Sequence, residues 1–170
     1  MNKAISKAES VGEKANRLWQ RLSPYPGGKW LFSKLVGFAI PYTGSIQPRV
    51  VSLKPGHAVV NLNDKRRVRN HLKSIHAIAL ANLAEFTTGM ATLSGMQPGS
   101  RAILTNLKIE YHKKARGTLR SECHSTPPTS AEEHSLEVEA KIFDADGDCV
   151  ATGMATWLIG PEKTTAKKNH

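Results

Sequence analysis

The stretch SIHAIALANLAEFTTGMATLSG, residues 74–95, decides the fold. Its apolar residues Ile75, Ile78, Ala79, Leu83, Phe86, Met90 and Leu93 recur at three- and four-residue steps, the period of a helix. Gln97-Pro98-Gly99 ends the pattern, and the polar, basic run Asn63–Lys73 precedes it as a loop. Between Lys73 and Arg101 lie 27 residues with one formal charge, Glu85. A helix with so little charge is one available to lie against a sheet.

The sheet comes from both directions along the chain. Upstream, Arg49–Leu53 and His57–Leu62 alternate with period two and are joined by Lys54-Pro55-Gly56, which reads as a hairpin. Downstream, four more strands are expected at Ala102–Tyr111, Thr118–His124, Ser135–Phe143 and Cys149–Ile159. The order strand, strand, long helix, four strands is an α+β pattern in which the helix lies against an antiparallel sheet. Residues 1–44 form a helical N-terminal extension. Its first helical stripe runs over 3–22, Ser23–Gly28 breaks it, and a second helix over Lys29–Ile40 stops at Pro41 and Gly44. The sheet-and-helix domain spans 45–160, and 161–170 reads as a flexible basic tail.

At 170 residues, 39% hydrophobic and 22% charged, the chain suits one globular domain with a short extension. Whole-chain disorder, collagen and coiled coil are excluded. Cys123 and Cys149 have no disulfide-scaffold or metal spacing, which points to a reducing, cytoplasmic setting. The longest apolar run, Trp30–Tyr42, is too short to span a membrane and contains Lys34. No apolar signal region opens the chain. Lys3, Lys7, Lys14, Arg17 and Arg21 fit a mitochondrial presequence, against which Glu9 and Glu13 count.

The net charge of +10 points first at nucleic acid, and its distribution redirects that reading. Residues 49–73 carry +6 and 101–120 carry +5, whereas 121–160 carry −7. No aromatic residue interleaves with Arg66–Arg69 or with Lys113–Arg120 to stack bases, so nucleic acid is not expected as a partner.

Glu85 is the candidate for chemistry. A carboxylate taken out of water without a partner either destabilises the fold or holds its proton nearer neutrality, the property of a general base. Against this stands the plain reading that Glu85 occupies the one wet face of its helix. Asn70 and His76 precede it by fifteen and nine residues, and His76 stands near the helix start, where free N–H groups and the dipole favour an oxyanion. Nine residues of helix separate His76 from Glu85 by about 13 Å, too far for one substrate atom. Two chains packed antiparallel about a two-fold would bring the helix start of one to the carboxylate of the other.

Asn70-x5-His76-Ala77-x2-Leu80-x4-Glu85, with Tyr111-His112-Lys113-Lys114-Ala115-Arg116-Gly117 and the closing strands, resembles the hotdog-fold acyl-CoA thioesterases. The similar branches are the phenylacetate-pathway type and a related, poorly characterised group, over residues 45–160. The resemblance implies a long helix wrapped by a curved antiparallel sheet. It also implies a homodimer or homotetramer, active sites at the subunit interface, and hydrolysis of a fatty or aromatic acyl-CoA. Glu85 would activate water or attack the thioester. The N–H near Ala77 would polarise its carbonyl, Asn70 would help position water or carbonyl, and His76 would border the same spot. Where that branch has His-Gly-Gly, this chain has His76-Ala77-Ile78, which narrows the approach to the helix start. Coenzyme A enters as part of the substrate, and no other cofactor is expected. Its phosphates would meet Arg67, Arg69, Lys113, Lys114 and Arg116 at the pocket rim.

The remaining features carry less. His57 and His71 are given no role, and His112 and His124 have no second ligand at metal spacing, so no metal is expected. Asp144–Asp148 mimics the start of a calcium loop but lacks its closing Glu and reads as a hairpin turn. No nucleophile elbow or Walker motif is present, and Ser94-Gly95 is a helix terminator. Two rival functions share the chain: a non-catalytic acyl-CoA or acyl-carrier binding protein, and a lipid-surface protein using helices 3–22 and 29–40. Membrane association is not the expected outcome.

Overall fold

The computed structural model describes residues 9–127 and 132–162. The start of the presequence-like pattern and nearly all of the basic tail lie outside them. Ser10 opens the first helix, α1 (Val11–Leu22). Its hydroxyl accepts from the Glu13 N–H while the Glu13 carboxylate accepts from the Ser10 N–H. α2 spans Gly28–Ala39. Pro41 does end α2, but by opening a further helix, α3 (Pro41–Ile46), where its missing N–H is no loss. Gly44, expected to stop the chain, lies inside α3 and lets it cross α2. A Cβ there would stand 2.1 Å from the Gly37 carbonyl oxygen.

Six strands form one antiparallel sheet: β1 (Arg49–Lys54), β2 (His57–Leu62), β3 (Ser100–Tyr111), β4 (Leu119–His124), β5 (His134–Phe143) and β6 (Cys149–Pro161). Their spatial order is β1-β2-β4-β5-β6-β3. Alternation sorts the faces: Leu119, Ser121 and Cys123 of β4 are buried, while Arg120, Glu122 and His124 face outward. The expected basic loop holds one 3-10 turn, Arg66–Val68, whose Val68 is buried in the core.

α4 (Ala77–Gly95) packs against all six strands, the hotdog arrangement. Contact with β6 is close enough that a Cβ on Gly153 would lie 2.4 Å from the Ala84 Cβ. Trp157 of β6 donates its indole N–H to the Thr88 hydroxyl at 3.3 Å. The helix is covered on nearly every side, and along its first half one strip stays open: Ala77, Ile78, Ala81 and Glu85. Ile78, expected in the apolar core stripe, is instead 55% exposed on that strip.

The N-terminal helices share the same core. Trp19 and Phe32 meet edge to face at 5.1 Å within it, and Asn16 donates to the Ser94 carbonyl at 3.0 Å. α2 also closes one sheet edge. The Ser33 hydroxyl accepts from the Val50 N–H at 3.0 Å, and the Lys29 ammonium donates to the Val51 carbonyl at 2.9 Å. At the other edge, β3 has no neighbour among the described residues. No helix among those residues is long and apolar enough to cross a membrane.

Candidate active site

His76 caps α4 from an extended backbone, and its ring Nδ1 accepts from the Ile78 N–H at 3.1 Å. The Ala77 N–H, one residue earlier, takes no hydrogen bond among the described residues. The helix start is held from the far side of the chain: Tyr111 Oη donates to the Ala77 carbonyl at 3.1 Å, and the Ile75 N–H donates to the Ala115 carbonyl at 2.8 Å. The Tyr111–Gly117 turn thus lies beside His76 and Ala77. Burial raises the Tyr111 phenol above its ordinary range, so it stays a donor.

Asn70 is committed locally. Its Oδ1 accepts from the Leu72 N–H, the Ser74 N–H and the Ser74 hydroxyl at 2.9, 3.2 and 3.1 Å. These bonds fold the turn that delivers the chain to His76, with Lys73 at φ 57°.

A cavity of about 390 Å³ opens beside the helix start, walled by α3, Arg67, Arg69, His76, Ile78 and Asn82. Asn82 was not singled out from sequence, because it carries no formal charge. It is 4% exposed, its amide N–H reaches the Tyr42 carbonyl at 3.4 Å, and its Oδ1 has no partner among the described residues. The signal was one polar residue three positions before Glu85 in an otherwise apolar run.

Glu85 is half-buried on the open strip, and its carboxylate makes no hydrogen bond or ion pair among the described residues. Eight residues separate it from Ala77, about 12 Å along the axis. Glu85 does not wall the cavity. A single chain therefore does not bring Glu85 and the helix start together.

The basic residues divide by their partners. Arg69 Nε bonds Asp64 at 2.6 Å, and Asp64 also accepts from the Gly117 N–H at 3.0 Å. The Arg69 bond holds the Asp64 carboxyl below the usual carboxylate range. Lys113 bridges Asp144 and Asp148 at 2.9 and 2.5 Å, and those bonds raise it above an ordinary lysine. Asp144 meanwhile accepts the Asp146 and Asp148 N–H groups, the hairpin turn expected in place of a calcium loop. Arg67 and Lys114 are exposed and make no ion pair among the described residues, and Arg67 walls the cavity. Arg116 is exposed in the field of Asp64.

Comparison with solved structures supports the architecture. A structural-genomics crystal structure is 28% identical, with a TM-score of 0.75 over 89% of this chain and 99% of that one. A Pseudomonas aeruginosa protein described as "Probable Thioesterase" is 21% identical, with a TM-score of 0.69 over 76% of this chain and 93% of that one. A Streptococcus mutans protein bound to acetyl-CoA is 20% identical, with a TM-score of 0.59 over 68% and 91%. No curated protein matches the sequence. Residues 28–159 match the domain of unknown function DUF4442, so the chain belongs to that family, and its fold is the hotdog fold.

Proposed function

We propose that this protein is a homodimeric acyl-CoA thioesterase, hydrolysing a fatty or aromatic acyl thioester to free acid and coenzyme A. The observation that carries this reading is Glu85: the only charged residue of a core helix, half-buried, without a partner among the described residues, and on the helix's open strip. The uncovered β3 edge offers the way to bring a second chain alongside, since an open strand pairs readily with its own copy about a two-fold. In such a pair the α4 start of one chain faces Glu85 of the other.

The chemistry then runs with few parts. Glu85 removes a proton from water as the oxygen attacks the thioester carbonyl carbon, and the Ala77 N–H receives the developing oxyanion. Collapse breaks the carbon–sulfur bond, and the proton held on Glu85 passes to the departing thiolate. Arg67 and Lys114, exposed and without ion pairs among the described residues, suit the phosphates of coenzyme A better than Arg69 and Lys113, which acids already neutralise. The acetyl-CoA bound by the Streptococcus mutans relative supports this carrier.

A panel of acyl-CoA esters assayed for free thiol tests the proposal. Turnover is expected with the wild type and at least about 100-fold less with Glu85→Gln, the loss of a general base. Undiminished turnover in folded, dimeric Glu85→Gln removes the mechanism.

One observation favours a second reading, an acyl-CoA binding protein without hydrolysis. His76 occupies the Ile78 N–H and Ile78 crowds the helix start, so the oxyanion site has one free donor where two would serve better. Tight acyl-CoA binding with no thiol release would establish it.

A further inference from the structure

We propose that His57, Glu122 and His124 form a binding site for a divalent transition metal of the zinc type on the outer face of the sheet. His57 of β2 stands directly opposite His124 of β4 in the strand register, and Glu122 lies two residues before His124 on the same face. Ala58 and Cys123 between them point into the core, which fixes the outward direction of all three.

The geometry is that of a half-made coordination sphere. His57 Nε2 lies 2.8 Å from Glu122 Oε1, and His124 Nε2 lies 3.7 Å from the same oxygen. One ligand atom from each residue falls within 4.8 Å of the others. The two imidazoles stack with centroids 4.2 Å apart and planes 19° from parallel. A tetrahedral zinc ion with bonds of about 2.0–2.1 Å holds its ligand atoms roughly 3.3–3.4 Å apart. That spacing falls between the two measured separations to Glu122, and one imidazole must turn out of the stack for both rings to aim a nitrogen at the same ion.

Arg120 supplies the outer support. Its Nη1 bonds Glu122 Oε2 at 2.7 Å, which turns the other oxygen toward the histidine rings. The Arg120 charge opposes a cation and moderates the affinity. Two imidazoles and one carboxylate favour zinc, cobalt, nickel or copper over calcium and magnesium, and leave a fourth position to water.

Placement gives the ion a use. Gly56 directly precedes His57, and its carbonyl accepts from the Ser125 N–H, directly after His124, at 2.7 Å. A metal here would clip the β1–β2 turn to the end of β4. The pair escaped the sequence reading because its members lie 67 positions apart and meet only across a strand pair.

The test uses full-length, untagged protein stripped of metal by a chelator and titrated with cobalt(II). Visible d–d absorption is expected to saturate at one ion per chain and to vanish on adding zinc. His124→Ala removes a ring that is 76% exposed and is expected to raise the cobalt dissociation constant at least about tenfold, as is Glu122→Gln. His71→Ala, in an exposed loop, is expected to leave the titration unchanged. No spectral change in excess cobalt, or equal binding by His124→Ala, overturns the proposal. If Glu122→Gln loses its native circular dichroism, His124→Ala alone decides.

Discussion

His76 turns its ring back onto the helix it opens, and its Nδ1 takes the Ile78 N–H at 3.1 Å. A group expected at the edge of the chemistry is thereby also a helix cap. Removing it should separate the two roles. His76→Ala should lower stability by about 1 kcal/mol, or roughly 2–4 °C in melting temperature for a chain of this size. Thiol release should fall by much less than the ~100-fold expected for loss of an oxyanion donor, because the Ala77 N–H remains. Differential scanning fluorimetry beside the acyl-CoA assay reads both. A 100-fold loss of turnover at unchanged melting temperature would place the ring itself in the reaction.

Asp64 joins the two basic segments, with one oxygen on Arg69 and the other on the Gly117 N–H. Its carboxyl is held low in the folded protein, first by the Arg69 bond, against opposing burial. A depressed carboxylate contributes stability above its unfolded value of about 4, and that contribution disappears as pH falls through the still lower folded value. Asp64→Asn keeps the shape but has one acceptor for two donors. Its urea midpoint should lie below the wild type at pH 7, and the gap should narrow as pH falls below about 4. A gap that stays constant down to pH 2 would assign the loss to packing instead.

The long helix is legible from its apolar stripe and the breakers that bracket it, and its wrapping by the sheet came only with the family resemblance. What sequence misjudged has local physical reasons. The third helix went unread because Pro41 reads as a stop, which it is for α2, while the same missing N–H suits the first turn of α3. Ile78 fits the apolar stripe but falls on the strip left open. Arg69 and Lys113 looked free because the acids that neutralise them, Asp64, Asp144 and Asp148, approach only after folding. Asn82 went unremarked since its meaning lies in an unpartnered atom, which periodicity does not report.

The fit of α4 against β6 makes its own prediction. Gly153 faces Ala84, and an added Cβ would lie 2.4 Å from that methyl and 3.0 Å from Ile109 Cδ1. Gly153→Ala should destabilise by about 1–3 kcal/mol through overpacking. The double variant Gly153→Ala with Ala84→Gly removes the clash but places a glycine mid-helix, which itself destabilises by about 1 kcal/mol. It should therefore recover part of the urea midpoint lost by Gly153→Ala. No recovery would mean that the backbone of β6, not the methyl pair, carries the strain.

The shared site has the sharpest test, because the two halves of the proposed machinery can be disabled on separate chains. Ala77 is the first residue of α4, a position that accepts proline, and His76 before it already holds the extended backbone that proline requires, at φ −66° and ψ 141°. Ala77→Pro therefore deletes the free N–H and leaves the helix and the Tyr111 bond to the Ala77 carbonyl in place. Glu85→Gln deletes the base. Each variant alone should be inactive. Mixed in equal amounts and allowed to exchange subunits, half of the dimers pair one of each, and each such dimer holds one intact site. About a quarter of the wild-type rate should return. A mixture that stays at background would put Glu85 and its helix start in the same chain's site, against the 19-residue helix that holds them apart.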